Sequence, residues 1–179
     1  QMRHPCRHLQ RSLKQFPKGR YYEDLATIPK VMTNTKKIVY LPEVYYYYLM
    51  RDGSIMHSRN FEKNYEDRTW AVDQLLEYFK RENLIETYRN ELEYLVFENT
   101  YFVPSKEIVL NDRKSEYLKK FRDYAYNKFP QMNKNYYVQQ RAGKDKILLK
   151  LLQYRMYGMM VLMYQLRRMK DRLAAVSRR

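Results

Sequence analysis

Two adjacent carboxylates, Glu23 and Asp24, stand behind Gly19-Arg-Tyr-Tyr in a chain where Lys and Arg outnumber Asp and Glu by 35 to 20. Carboxylates so placed have two uses: they can take up a proton during a reaction, or they can complement the positive end of a helix dipole. Position alone favours the dipole. Two further sets of residues have types able to do chemistry. His4, Cys6 and His8 alternate near the start of the sequence, but a trio with no fourth ligand and no second cluster makes a poor zinc site, and metal binding is not expected there. Near the other end, Lys146, Lys150 and Arg155 precede, and Arg167, Arg168 and Lys170 follow, the apolar run from Met156 to Tyr164 with Met160 at its centre. Cations beside an apolar stripe suit an acidic membrane surface or a partner helix.

The cations are unevenly spread. Residues 1–110 carry 17 Lys and Arg against 15 Asp and Glu, a net of +2, whereas residues 111–179 carry 18 against 5, a net of +13. An anionic membrane surface is therefore the partner expected for the last third. A packing or homo-oligomer role for the last helix ranks second. Nucleic acid ranks last, because no nucleic-acid motif is present and the 20 tyrosines recur at helical spacings that suit a core. All apolar runs are shorter than the roughly 20 residues that span a bilayer, and no apolar leader segment is visible. One cysteine cannot form an internal disulfide, which agrees with a reducing compartment. The expectation is a cytoplasmic protein, peripheral on the inner face of the cell membrane.

The elements that must position these residues are mostly helical. Leu25, Ile28 and Met32, spaced three and four apart, predict a short helix from Tyr22 to about Thr33, with Glu23 and Asp24 in its first turn and Pro29 inside it. Lys37 to Leu41 and Glu43 to Met50 are β-branched and aromatic, are split by Pro42 and close on Asp52-Gly53. That pattern predicts two short strands and a turn, with the rings of Tyr45 to Tyr48 alternating between faces. Beyond Asn60 the period is helical. One helix passes through Trp70, Val72, Leu75 and Phe79 to a break at Asn83, and a second runs from Leu84 to about Phe102, stopped by Pro104. A third spans Ser115 to Phe129, stopped by Pro130, and a last one runs from about Lys144 to Ala174. The fold class expected is mainly α: a helical C-terminal region with a small α/β remnant, one helix and a two-strand hairpin, near the N-terminus.

Between Phe16 and Met56 stand Phe16, Pro17, Gly19, Glu23, Asp24 and Leu25, then Lys36 and Lys37, then Tyr46, Tyr48, Arg51, Gly53, Ser54 and Ile55. Their order and spacing resemble the second half of the catalytic domain of bacterial family 2 glycosyltransferases. Leu75-Leu-Glu-Tyr-Phe and Tyr88-Arg-Asn-Glu-Leu-Glu-Tyr-Leu resemble the helical extension that follows this domain in capsule and wall polysaccharide transferases. The resemblance covers roughly residues 16–105.

The resemblance implies that residues 1–60 are the C-terminal remnant of a GT-A-like catalytic domain, and residues 61–179 a helical extension with a basic amphipathic last helix. It implies an inverting transfer of sugar from a nucleotide-sugar to a cell-surface polysaccharide or lipid-linked glycan acceptor. Asp24 would be the base that takes the acceptor's proton, and Glu23 would orient the acceptor or the helix start. Arg51, Ser54 and Tyr48 would lie near the donor phosphates or the acceptor. A histidine from the region of His57 is a third metal ligand in some relatives, though a lone loop histidine reads more simply as polar surface. The family's Asp-x-Asp metal motif does not occur in the 179 residues. No metal or cofactor is thus expected in this chain, Mg or Mn is expected for the full-length enzyme, and this stretch alone is expected to be inactive.

Overall fold

The structure, a computed structural model, describes residues 18–47 and 60–176, and every regular element among them is helical. The chain divides into two units, residues 1–87 and 88–179.

In the first unit, helix α1 (Glu23–Thr33) packs on α2 (Phe61–Arg81). The start of α2 is fixed by Asn60, whose side-chain oxygen accepts the Lys63 amide hydrogen at 2.9 Å, satisfying one of the free donors of the first turn. Ala71, Val72, Leu75 and Phe79 form the buried face of α2, and Ala26 is buried on α1. The two helices are tied at both ends. Arg20 and Tyr21, just ahead of α1, bond to Asp67. At the far end the Asn34 amide donates to the Tyr78 hydroxyl at 2.7 Å, and the Thr33 hydroxyl lies 3.1 Å from the same oxygen. The helices therefore run in the same direction. The 11 residues of α1 rise about 16 Å, which matches the axial distance from Asp67 to Tyr78 along α2.

The second unit contains α3 (Arg89–Phe97), a π-helical turn (Glu98–Phe102), α4 (Val103–Asn111), α5 (Tyr117–Lys128), a 3₁₀ turn (Met132–Lys134), α6 (Tyr136–Gln139), α7 (Gly143–Gln153) and α8 (Tyr157–Val176). Its core is built from Leu92, Val96, Phe97, Phe102, Ile108, Phe121, Met132, Leu152 and Met160. The π turn explains how the chain passes Pro104, which the sequence pattern takes as a stop. Proline lacks the amide that would bond back into the preceding turn, and its ring needs room there. The wider turn supplies the room, so Pro104 sits at the start of α4 and the helical path continues. The same turn rotates Phe102 towards Phe97. Five residues apart, they would point roughly 140° away from each other on an α-helix, yet here their rings stack at 5.7 Å and 15°.

Onto that stack comes Arg141, between α6 and α7. Its guanidinium lies 4.1 Å from the Phe102 ring centre, 5.2 Å from that of Phe97 and 5.6 Å from that of Tyr94. It is ion-paired with Glu98, donates to the Tyr94 hydroxyl at 3.1 Å, and approaches Asp145 at 3.5 Å. Its side chain is only 8% exposed. Asn135 makes a second joint: its side-chain oxygen caps α6 at Tyr137, and its amide donates to the Asn90 carbonyl and to Glu93, each at 2.9 Å.

Two further expectations are corrected. The two-strand hairpin is not seen. Lys37 to Tyr47 has no regular structure, and Tyr45, Tyr46 and Tyr47 are all exposed, so the expected alternation of faces is absent over these residues. A strand is held by its neighbours, and among the described residues none is present; Tyr48 to Met50 lie outside them. The last helix is also broken. Arg155 adopts the left-handed conformation (φ 56°); its amide bonds to Leu152 and that of Met156 to Leu151, the paired bonds that close a helix end. The break at Asn83 (φ 57°) has the same form and falls where asparagine predicts it.

Arg141→Met should lower the stability of the second unit by about 3 kcal/mol in urea unfolding, because it strands the Glu98 carboxylate. Arg141→Lys should recover little, since an ammonium cannot lie flat on three rings while pairing. Full rescue by lysine would show that charge alone is used.

Candidate functional site

The approach to α1 is built around one buried acid. The Asp67 side chain is 0% exposed. One carboxylate oxygen accepts from the Arg20 guanidinium at 2.8 Å; the other accepts from the Tyr21 backbone amide at 3.1 Å and from Lys63 Nζ at 3.0 Å. Lys63 Nζ also donates to the Gly19 carbonyl at 3.1 Å. Burial alone would push the Asp67 carboxyl up, but the Arg20 hydrogen bond, the Tyr21 amide and Lys63 outweigh it and hold the group below the usual carboxylate range. Each cation also faces a ring: Arg20 that of Trp70 at 5.4 Å, Lys63 that of Tyr21 at 4.6 Å, and Arg68 that of Tyr22 at 4.3 Å.

This clamp sets the direction in which Glu23 and Asp24 leave it. Gly19 has φ 77°, which costs a glycine nothing. Tyr22 has φ 61°, immediately before the first residue of α1, and a tyrosine there is strained by about 1–2 kcal/mol. Backbone strain of this kind persists where surrounding contacts over-determine it and gathers at functional sites. Beyond it, Glu23 and Asp24 occupy the first turn of α1, as the sequence pattern expects. Asp24 is exposed and one of its oxygens accepts the Leu25 amide at 2.8 Å, leaving the carboxylate open to solvent; Glu23 is half-buried. The arrangement presents a solvent-facing carboxylate at the positive end of a helix on a backbone fastened to one buried carboxylate.

The other sequence-derived site residues divide into two groups. Tyr48, Arg51, Ser54 and His57 lie outside the described residues, as do His4, Cys6 and His8. Among the described residues no three His, Cys, Asp or Glu side chains stand close enough to hold a metal ion, and no helix is long and apolar enough to cross a membrane. The basic group is described in full. Lys146 and Lys150 are exposed on α7, Arg155 is exposed at the break, and Arg167, Arg168 and Lys170 are exposed on α8. Met160 differs: it is 0% exposed and belongs to the core of the second unit. The outward apolar residues of α8 are Met159, Leu162, Leu166, Met169 and Leu173.

Asp67, Lys63 and Arg68 carry no motif in the sequence, and Trp70 enters it only as an apolar position of a predicted helix. A signal exists: Asp67 stands four residues before Ala71 and eight before Leu75, so the helical period puts an acid on the buried face, where it needs partners.

The lowered Asp67 carboxyl gives stability that is present above its unfolded value near about pH 4 and is lost as pH falls through the lower folded value. Asp67→Asn should therefore be less stable at pH 7 by about 2 kcal/mol and should show a shallower loss of stability below about pH 4 than the parent. Superimposable acid profiles would contradict the assignment.

Compared with known proteins, the chain matches no family model, no curated protein and no solved structure, so the reading of its chemistry rests on motif spacing and on the geometry just described.

Proposed function

We propose that this chain is the C-terminal portion of an inverting glycosyltransferase of cell-surface polysaccharide synthesis, with Asp24 as the base that accepts the acceptor hydroxyl's proton. The observation that carries the reading is the solvent-facing Asp24 in the first turn of α1, two residues after a strained Tyr22 and a backbone fastened to Asp67. A base must hold its oxygen within hydrogen-bond reach of the attacking hydroxyl at a fixed angle, and a helix start tied down through a buried carboxylate supplies that fixity. Glu23, half-buried beside it, orients the acceptor or the helix start. The motif order from Phe16 to Ile55 supports the same reading. So does the exposed run Ile38, Val39, Tyr40, Leu41, Val44, Tyr45, Tyr46 and Tyr47: its β-prone side chains would be covered by the sheet of a nucleotide-binding half. That half would hold the donor and its Mg or Mn, and Arg51, Ser54 and Tyr48 would face the donor phosphates or the acceptor.

Two measurements test the proposal. In the complete transferase, Asp24→Asn should lower kcat by on the order of 10²–10⁴ with donor affinity nearly unchanged, and Glu23→Gln should lower it less. Near-normal turnover of the Asp24 variant would remove the assignment. On this chain alone, titration calorimetry with uridine and guanosine diphosphate sugars plus manganese should give no heat of binding, and micromolar affinity would contradict the division of labour.

A further inference from the structure

A pocket of about 510 Å³ in the second unit lies among α4, α7 and α8. Four cations line it, Lys106, Lys144, Arg167 and Lys170; Arg167 is shared with Asp171 of its own helix at 3.8 Å, which leaves the three lysines as the main charge of the pocket. Lys106 is held in place, half-buried with its Nζ 4.1 Å from the Phe102 ring centre. The single acid of the lining, Asp145, is answered from elsewhere by Arg141 at 3.5 Å. Leu148, Met163 and Leu166 supply an apolar wall beside the cations. The Tyr164 phenol, pushed up by burial and by Asp145, stays protonated and is able to donate a hydrogen bond.

Leu166 belongs also to a second feature. Met159, Leu162, Leu166, Met169 and Leu173 recur at alternating spacings of three and four and are 49% to 69% exposed. Five large apolar side chains along one stripe of α8 thus face outward, continuous with the pocket. The charge beside the stripe identifies its occupant. Lys170 borders it on the pocket side and Arg172 on the other. The one acid of α8, Asp171, lies 3.8 Å from Arg167 one turn earlier on the same helix and is already paired. A second copy of α8 would bring only an Asp171 that its own Arg167 already holds, and so no spare carboxylate to meet Lys170 and Arg172. An acidic lipid leaflet meets both features at once, with phosphates for the cations and acyl chains for the stripe.

We propose that the pocket binds the phosphate headgroup of an anionic phospholipid while the α8 stripe lies in the acyl boundary of the same leaflet. A pocket of this size accommodates a headgroup, and its mixed lining suits a phosphate joined to an apolar tail. The proposal stands whether or not the chain transfers sugar, and its failure would leave the Asp24 reading untouched.

The test is co-sedimentation of the chain with vesicles of phosphatidylcholine alone or mixed equally with phosphatidylglycerol. Binding is expected to the acidic vesicles only, weakening as salt is raised. Lys106→Gln, Lys144→Gln and Lys170→Gln together should lower partitioning about a hundredfold, at roughly fivefold per cation. Lys114→Gln, Lys119→Gln and Lys134→Gln remove the same charge from exposed sites off this surface and should cost far less. Leu166→Asp and Met169→Asp alter exposed positions, so circular dichroism should be unchanged while vesicle binding falls more than tenfold. An equal loss in both lysine sets would overturn the pocket, leaving only diffuse attraction. Full competition by soluble glycerol phosphate would overturn the lipid as ligand. Absence of vesicle binding together with dimers that Leu166→Asp dissolves would replace the proposal by self-association.

Discussion

A carboxylate with no access to water must be answered by donors from the protein, and the Asp67 carboxylate is answered from two directions. Lys63 comes from its own helix one turn earlier; Arg20 and the Tyr21 amide come from the segment that leads into α1. Leaving such a group unpaired would cost several kcal/mol, so the segment is held to α2 by the penalty of its departure. The helix that follows inherits the constraint. Tyr22 is kept left-handed, α1 starts at Glu23, and the match in rise between α1 and the stretch from Asp67 to Tyr78 lets Thr33 and Asn34 close the far end. The buried apolar contact of α1, Ala26, is small; polar ties at both ends do much of the positioning.

The second unit uses the same physical device at another place. Arg141 is a buried cation whose planar group lies against the rings of Phe102, Phe97 and Tyr94 and pairs with Glu98. It thereby joins the α6–α7 connection to the π turn, and through Asp145 it reaches the lining of the cationic pocket. The π turn is a precondition, because it aligns Phe97 and Phe102 into the surface on which the guanidinium rests. In both units a single charged side chain organises aromatic neighbours, which gives the many tyrosines and phenylalanines of the sequence a use beyond filling a core.

What could be read from the sequence followed from local periodicity and from residues with strong backbone preferences. Leu25, Ile28 and Met32 gave the extent of α1 with its acidic first turn but not its buried face, since Ile28 and Met32 are exposed and Ala26 is the residue buried; Asn83 gave the end of α2, because asparagine tolerates the left-handed conformation that closes a helix. The break at Arg155 has the same geometry but carries no such preference, so the last two helices read as one. Pro104 misled in the opposite sense: the rule that proline stops a helix assumes α geometry, and the π turn removes the clash. The expected strands depended on a partner that a single sequence does not display. The first-turn position of Glu23 and Asp24 was legible in the sequence, whereas the places of Asp67 and Arg141 were not, since each draws its meaning from residues more than 40 positions away. Met160 read as part of an outward stripe because apolar residues surround it on both sides in the sequence; its face is settled only by the helices it packs against.

The claim on which the account turns is that Asp67 positions the helix bearing the acidic pair. Residue-resolved amide hydrogen exchange of the parent and of Asp67→Ala measures it directly. The account predicts that amides from Ala26 to Thr33 lose protection in the variant while those from Leu75 to Phe79 keep most of theirs, because α1 is released from a helix that retains its own buried face. Unchanged protection in α1, or an equal loss along both helices, would contradict it.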